Sequence, residues 1–441
     1  MENRRDEYWN PWLETLDPAG LKQIQLKNFR KYVAYAKEHS AYYRKALEGV
    51  APQDIKTLED VRKLPLTDKE DMRLAQHEKS NLYGDLLGVD LAEVSDFHQT
   101  SGTTGKPVYV PETYESWQWR VEVWSHILWM AGFRETDRVF VPFGYNVYVA
   151  FWEGHYAAEK VGCEVVPGGA LDTKGRISKM MEIGATASMN TPTYGLHMAE
   201  VAREMGIDPR KIGIRKMLCA GEPLPQASRR LLENTWDAEV YDHIGGTEPC
   251  AWAAMCRQRD GLHIMEPFFL VEVLDPDDMS REVNPGEIGV AVVTPLGRRS
   301  FPLVRFNTKD LVKRAAEGCE CGRTSMKITQ VVGRTDHLLK IRGVLFTPVA
   351  VEECLREEFP NVIEYEIAVT KRSDLMDQID LKVETSEDPR SPASAALKGD
   401  IRERLKIRTN LSFGVEVVQP GALPRYTLKA SRFKDLREGG K

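Results

Sequence analysis

The stretch His98-Gln-Thr-Ser-Gly-Thr-Thr-Gly-Lys-Pro107 packs hydroxyls, glycines and one cation into ten residues. Gly102 and Gly105 permit a tight turn whose amides point inward, and Ser101, Thr103, Thr104 and Lys106 add donors. A concave array of N–H and O–H groups with one cation is what a phosphate chain requires. It is not a Walker A loop, because only two residues separate Gly102 from Gly105 and Pro107 follows Lys106. The competing reading is a Thr-rich surface turn, which the density of Ser, Thr and Lys disfavours. A second group suits a metal. Cys256 and His263 flank Arg257-Gln-Arg-Asp-Gly261, which reads as a hairpin turn, and Cys319 and Cys321 flank Glu320. Three thiolates and one imidazole make a tetrahedral structural zinc site. Gly318 and Gly322 would allow the tight loop that ligands one residue apart require. The alternative is free cysteines in a β-rich region, with Cys250 as a substitute ligand. Cys163, Cys219 and Cys354 sit in apolar surroundings and read as core.

These residues need a scaffold. Leu26, Phe29, Val33 and Ala36 lay one apolar stripe along a helix expected from about Leu21 to Ala46. Beyond residue 100, short β-branched and aromatic runs alternate with helical stretches. Arg138–Phe143, Cys163–Val166, Met217–Cys219 and Glu239–Tyr241 read as strands, and Trp152–Lys160 and Ile177–Ile183 as helices. Such alternation predicts an α/β domain with a mostly parallel sheet. Closer strands at Phe269–Leu274 and Gly289–Thr294 suggest a β-rich subdomain. The polar stretch Glu384–Pro392 reads as an exposed loop in a final domain of about a hundred residues.

At 441 residues the chain has room for two or three domains. Sixty Lys and Arg against 66 Asp and Glu give a net charge of −6, which argues against nucleic-acid binding across the whole surface. The longest apolar stretches, such as Ile127 to Phe133, fall far short of the ~20 residues that span a bilayer. The opening MENRRDEYWNPW holds no apolar run followed by small residues, so no secretory signal is expected. Seven cysteines with one close pair favour a reducing, cytoplasmic setting over a disulfide framework.

Thr100-Ser-Gly-Thr-Thr-Gly-Lys-Pro107 resembles the phosphate loop of the acyl-adenylate-forming enzymes: acyl-CoA synthetases, luciferases and peptide-synthetase adenylation domains. Other matches follow in the family's order. Ala220-Gly-Glu-Pro223 resembles the segment that contacts adenine, and Gly245-Gly-Thr-Glu248 the segment ending in a Thr-Glu pair. Arg305-Phe-Asn-Thr-Lys-Asp310 resembles the ribose-binding motif, Gly333-Arg-Thr-Asp336 the interdomain hinge, and Pro424-Arg-Tyr-Thr-Leu-Lys429 the segment with the catalytic Lys. Chain length, Thr191-Pro-Thr-Tyr194 and the Cys-x-Cys-Gly-Arg-Thr324 run point to the phenylacetate–CoA ligase branch. The resemblance covers nearly the whole chain, and six motifs in register outweigh the weakness of each alone.

The resemblance implies an N-terminal domain over residues 1–335, with its β-rich subdomain at about 250–332, and a small mobile α+β domain over 336–441. It implies that a carboxylate attacks the α-phosphate of ATP and that a thiol, that of coenzyme A, then displaces AMP. Ser101, Gly102, Thr103, Thr104, Gly105 and Lys106 would hold the β- and γ-phosphates. Thr247 would reach the α-phosphate, Glu248 would hold Mg²⁺, Asp310 the ribose hydroxyls, and Arg334 the ribose or phosphate. Gly221, Glu222 and Pro223 would lie at adenine. Ile244 stands where the family usually has a stacking Tyr, so it can cover a purine face without a ring. His243 beside it reads as structural. Asp336 would be the hinge, and Lys429 the catalytic Lys, with the other basic residues of the last 21 left at the surface.

In that branch the segment Gly144–Trp152 helps line the acyl site, so Tyr145, Trp152 and Tyr194 are pocket candidates, against the alternative of ordinary core packing. Val149, Ala150 and Phe151 replace a glycine-richer pattern and imply a shorter or differently shaped acid. No Arg or Lys flanking the motifs offers itself to a second carboxylate, so an aromatic monocarboxylic acid is expected. The acceptor could instead be a deazaflavin cofactor hydroxyl or a carrier-protein thiol. A decayed nucleotide-binding regulator is the non-enzymatic alternative, which the intact Lys106, Glu248, Asp310, Arg334 and Lys429 oppose. Expected partners are small molecules, with no nucleic acid and no membrane, and a homodimer is left open.

Overall fold

The computed structural model describes residues 7–77, 79, 81–100, 106–145, 149–316, 318–341, 344–371, 377–427 and 430–437. The chain divides into two compact units. The first comprises Met1–Asn190, Lys211–Gly221 and Glu239–Val331, and the second Thr191–Arg210, Glu222–Ala238 and Val332–Lys441.

In the first unit, the expected long N-terminal helix is broken. One helix runs Pro18–His39 and a second Ala41–Ala46. Ser40 leaves the helical region at φ −97°, ψ 125°, and its Oγ accepts from Tyr43 N–H, capping the second helix. A serine whose side chain replaces a backbone bond is a helix start as readily as a helix residue, and apolar periodicity does not register that. Phe29, Val33 and Ala36 are buried as the stripe predicts.

A two-stranded hairpin, β1 (Asp96–Gln99) and β2 (Tyr109–Glu112), brackets the Gly-rich stretch. Its base is closed by Thr100 N–H donating to Val108 O and Val108 N–H to Thr100 Oγ1, both at 3.0 Å. The main sheet is built from β3 (Arg138–Val141), β4 (Glu164–Pro167), β5 (Ala187–Asn190), β6 (Lys216–Cys219), β7 (Glu239–Gly246), β8 (Cys250–Met255), β9 (Leu262–Ile264), β10 (Phe269–Leu274), β11 (Ile288–Pro295), β12 (Phe306–Arg314) and β13 (Lys327–Arg334). Among the described residues its order is β10-β11-β12-β13-β9-β8-β7-β6-β5-β3-β4. The pairs among β4, β3, β5, β6 and β7 are parallel, and β7–β8, β8–β9, β13–β9, β10–β11 and β11–β12 are antiparallel. The α/β expectation therefore holds, but the β-rich region extends the parallel sheet as one surface. Burial decides this: β8 and β10 are buried along their whole length.

The second unit contains helices Pro192–Glu204 and Gln226–Trp236, joined by Trp236 Nε1 donating to Gly195 O at 3.0 Å. It also holds the hairpin β14 (Leu339–Ile341) and β15 (Val344–Phe346). Then come β16 (Glu364–Lys371), β17 (Asp377–Glu384), β18 (Phe413–Val418) and β19 (Phe433–Asp435), ordered β18-β17-β16-β19. Helices Pro348–Glu358 and Pro392–Thr409 bury Val351, Leu355, Ile401 and Leu405 in a core with that sheet. The loop read at Glu384–Pro392 is exposed only in part. Glu384 is fully buried, accepting from Gly421 and Leu423 N–H and from Arg425. The basic tail is likewise not all at the surface. Arg432 is half-buried against Glu364 and donates to Thr193 Oγ1 at 3.0 Å, and Arg425 bridges Glu200 and Glu384. No helix among the described residues is long and apolar enough to cross a membrane.

Candidate active site

Neighbouring parallel strands deliver their C-terminal ends to one edge of a sheet, where open α/β sheets bind ligands. In the first unit β6 ends at Cys219 and leads to Ala220 and Gly221, while β7 beside it carries Ile244 and ends at Gly246. Gly221 takes φ +82°, a left-handed conformation that glycine adopts without strain. The side chain of Ile244 is 9% exposed. His243 is buried, its Nδ1 lies 2.9 Å from Cys219 O, and burial pushes its pKa down to about 4. The ring is therefore neutral and donates to that carbonyl.

Thr247, Glu248 and Pro249 form the turn joining β7 to antiparallel β8. Gly245 is required there: a Cβ would stand 2.5 Å from Ala251 Cα. Cys250 closes the turn at φ +75°. Glu248 is only 6% exposed, with Lys69 Nζ 2.8 Å from Oε1, an atom that has no aligned hydrogen bond. Lys69 opens the helix Lys69–Gln76 and escaped the sequence reading. Two other cations, both buried, converge on this turn. Arg120 donates to Thr247 O at 3.2 and 3.3 Å, and Arg298 donates to Glu248 O.

Asp310 lies on β12, its N–H donating to Thr308 Oγ1 at 3.0 Å. The two residues that start and precede it are bent: Arg305 has φ +49° and Lys309 φ +64°. Arg305 tolerates this because its guanidinium is held by both Glu272 oxygens at 2.9 and 3.0 Å and by Arg62 O at 3.2 Å. Lys106 is exposed, with Arg73 donating to its carbonyl at 3.0 Å. Tyr145 and Trp152 pack edge to face at 4.9 Å, and Tyr145 Oη lies 2.9 Å from His155 Nδ1.

Other expected site residues fall in the second unit. Glu222 is half-buried and accepts from Thr193 and Ala430 N–H, and its desolvation raises its pKa. Arg334 and Asp336 pair with each other through Nε–Oδ1 at 2.9 Å and Nη2–Oδ2 at 3.0 Å. Tyr194 is fully buried on the helix Pro192–Glu204. Pro223 precedes the helix Gln226–Trp236. Ser101, Gly102, Thr103, Thr104, Gly105 and Lys429 lie outside the described residues.

The thiol and imidazole group is assembled. Among the described residues Cys256, His263, Cys319 and Cys321 place their ligand atoms within 4.8 Å of one another. Cys256 Sγ stands 3.8 Å from Cys319 Sγ, and Cys321 Sγ 3.4 Å from His263 Nε2. Bonds of ~2.3 Å to sulfur and ~2.0 Å to nitrogen give tetrahedral edges of about 3.8 and 3.5 Å, so the spacing fits zinc. The Cys256 thiol hydrogen-bonds Cys321 and, with His263, holds the Cys321 thiol well below its ordinary range. Ser325 Oγ, 3.2 Å from His263 Nδ1, orients the ring from behind. Gly318 and Gly322 take φ of +87° and +79°, as the tight loop requires. Cys250 is outside this group and faces Glu153.

Comparison with known proteins places the chain in a family. Residues 66–294 match the AMP-binding enzyme family model, and residues 343–437 match the AMP-binding enzyme C-terminal domain. A phenylacetate-coenzyme A ligase of Thermus thermophilus is 32% identical over 98% of this chain and 100% of its own length. The crystal structure of 2-hydroxyisobutyryl-CoA ligase in the postadenylation state in complex with 2-HIB-AMP is 28% identical, with a TM-score of 0.93, over 100% of this chain and 94% of the other. The same ligase in complex with 2-HIB-AMP and CoA in the thioesterification state is 30% identical, with a TM-score of 0.74, over 99% and 94%. The chain belongs to the AMP-binding enzymes, within their phenylacetate–CoA ligase-like branch.

Proposed function

We propose that this enzyme uses ATP to convert an aromatic monocarboxylic acid into its acyl-adenylate, and then transfers the acyl group to coenzyme A with release of AMP. The observation that carries the reading is the buried Glu248 carboxylate in the turn that ends β7, the strand paired in parallel with β6, which leads to Gly221. The relatives named for phenylacetate and the solved ligase holding 2-HIB-AMP with CoA support the same chemistry.

In the first step a carboxylate oxygen of the acid bonds to the α-phosphorus, and pyrophosphate leaves. The amides and hydroxyls of residues 101–105, with Lys106, bind the departing phosphates. Thr247 donates its hydroxyl to the α-phosphate, and Asp310 accepts from the ribose hydroxyls with Arg334 nearby in role. Ile244, Gly221, Glu222 and Pro223 enclose adenine. Tyr145, Trp152 and Tyr194 wall the acyl group. The residues fit Mg²⁺: Glu248 offers a buried, hard carboxylate, whose Oε1 is met here by the Lys69 ammonium at 2.8 Å, a cation at the position the ion would take. Bound there, the ion would neutralise phosphate charge. Lys429 places a point charge between the attacking carboxylate and the α-phosphate. In the second step the CoA sulfur attacks the acyl carbon and AMP leaves, which asks for different surroundings at the same carbonyl. Domains of 1–335 and 336–441 pivoting at Asp336 supply them. Zinc on Cys256, His263, Cys319 and Cys321 is structural, because all four positions are filled by protein.

The test is a panel of aromatic and short aliphatic acids assayed for pyrophosphate release and for acyl-CoA. An aromatic acid should give both. Stalled acyl-adenylate without acyl-CoA would refute the acceptor, and preference for short aliphatic acids would refute the substrate class.

A further inference from the structure

The Thr247–Glu248 turn is held by a buried charge network that no nucleotide motif contains. Arg120, Arg298 and Glu112 are each completely buried, and Glu153 nearly so. Arg120 Nη1 lies 3.0 Å from Glu112 Oε1, and its Nε binds Glu153. Arg298 Nη2 stands 2.9 Å from the same Glu112 oxygen. Ser300 Oγ donates to the other Glu112 oxygen at 2.9 Å. Two guanidiniums and two carboxylates thus balance in charge, which is the condition under which buried ions persist.

Both guanidiniums also reach the turn itself. Arg120 turns both terminal nitrogens to Thr247 O, and Arg298 reaches Glu248 O. These are consecutive carbonyls of a tight turn, in which Pro249 offers no N–H. Fixing both carbonyls fixes both peptide planes, and with them the direction of the Glu248 side chain. Glu112 also ends β2, the strand that leaves the Gly-rich stretch. One carboxylate therefore ties the strand carrying the phosphate loop to the turn carrying the metal ligand.

We infer that Arg120 and Arg298, bridged by Glu112, are positioning residues for the metal-binding carboxylate, coupling it to the phosphate-loop hairpin. This rests on the assignment of Glu248 to Mg²⁺ given above. A purely structural role would stabilise the fold without regard to the ion.

The experiment is isothermal titration of ATP into the enzyme with Mg²⁺ and, separately, with EDTA. Arg298→Lys keeps the charge but loses the fork. It should cut the Mg²⁺-dependent gain in ATP affinity by ~10-fold, the usual effect of removing a partner that orients a metal ligand. Affinity in EDTA should stay unchanged. Ser300→Ala, which removes one neutral hydrogen bond to Glu112, should lose about 2- to 10-fold and serves if Arg298→Lys does not fold. Pyrophosphate release should show the same loss as a raised Mg²⁺ requirement. Equal weakening with and without Mg²⁺, or an unaltered gain in folded variants, would overturn the proposal. Glu248→Gln separates the two failures: if it keeps the full gain, the metal assignment is wrong and the positioning role falls with it.

Discussion

Removing one thiolate from the Cys256, His263, Cys319, Cys321 group should do more than empty a metal site. The loop carrying Cys319 and Cys321 is the anchor for the N-terminal segment. Tyr8 Oη donates to Cys321 O at 2.6 Å, Arg323 donates to Glu7 O at 3.0 Å and to Glu14 Oε2 at 2.8 Å, and Thr324 Oγ1 donates to Leu16 O at 2.5 Å. The Arg323 guanidinium also lies 4.9 Å over the Tyr8 ring. Neutral bonds are worth about 1 kcal/mol and guanidinium–carboxylate bonds about 2, so a loop that loses its shape forfeits about 5 kcal/mol. The first unit spans roughly 290 residues, with an unfolding entropy of ~0.6 kcal/mol per K, so its melting temperature should fall by ~8 °C.

Cys319→Ser and the Cys319→Ser/Cys321→Ser pair are the perturbations. Elemental analysis should find about one zinc per wild-type chain and far less in either variant. Differential scanning calorimetry reads the shift, and limited proteolysis should cut within residues 7–16 in the variants alone. Stoichiometric zinc in the double variant would sink the ligand assignment. Zinc lost with an unmoved melting temperature and a protected N-terminus would sink the anchoring argument.

Two further outcomes follow from the same reasoning. Lys429→Ala should slow pyrophosphate release from ATP and acid by ~10²–10³-fold or more, while supplied acyl-adenylate and CoA still give thioester. Equal loss in both half-reactions, measured by quenched flow, would contradict its role. The hydrogen bond from His126, with those from Lys160 and Trp9, lowers the Glu122 pKa to about 2 from an ordinary 4.5. A depressed carboxylate stabilises the fold above its unfolded pKa and loses that as pH falls through its folded one, here between about 4.5 and 2. After discounting for its partial exposure, Glu122→Gln should cost ~1–2 kcal/mol at pH 7, a cost that shrinks steadily as pH is lowered from about 4.5 to 2, by denaturant titration. A cost independent of pH would show that packing, not charge, is responsible.

What the sequence disclosed and what it withheld divide on one physical line. Gly221, the Thr247–Glu248 turn, Gly318 and Gly322 are written locally: a left-handed φ, a tight approach or a ligand spacing demands a residue type within a few positions. The metal group was legible for the same reason, since each half is a short loop, even though Cys319 and Cys256 are brought together by sheet pairing. The strand alternation that predicted the α/β domain is also local. Arg120, Glu112, Arg298 and Lys69 were not legible. Arg120 has partners 8, 33 and 127 positions away, Arg298 one 50 away and Lys69 one 179 away, and a lone Arg, Lys or Glu in a sequence is by default a solvated one. The same default misplaced Arg432, Arg425 and Glu384, all of which fold inward because their opposite charges arrive from other elements. Buried ions are costly unless each is met by a partner, so in this chain the charges that evaded reading are the ones whose neighbours had to be built first. That Arg120 and Arg298 close on the backbone of one turn, while Lys69 meets its carboxylate, is the reason to look for function in the network and not only in the motif it holds.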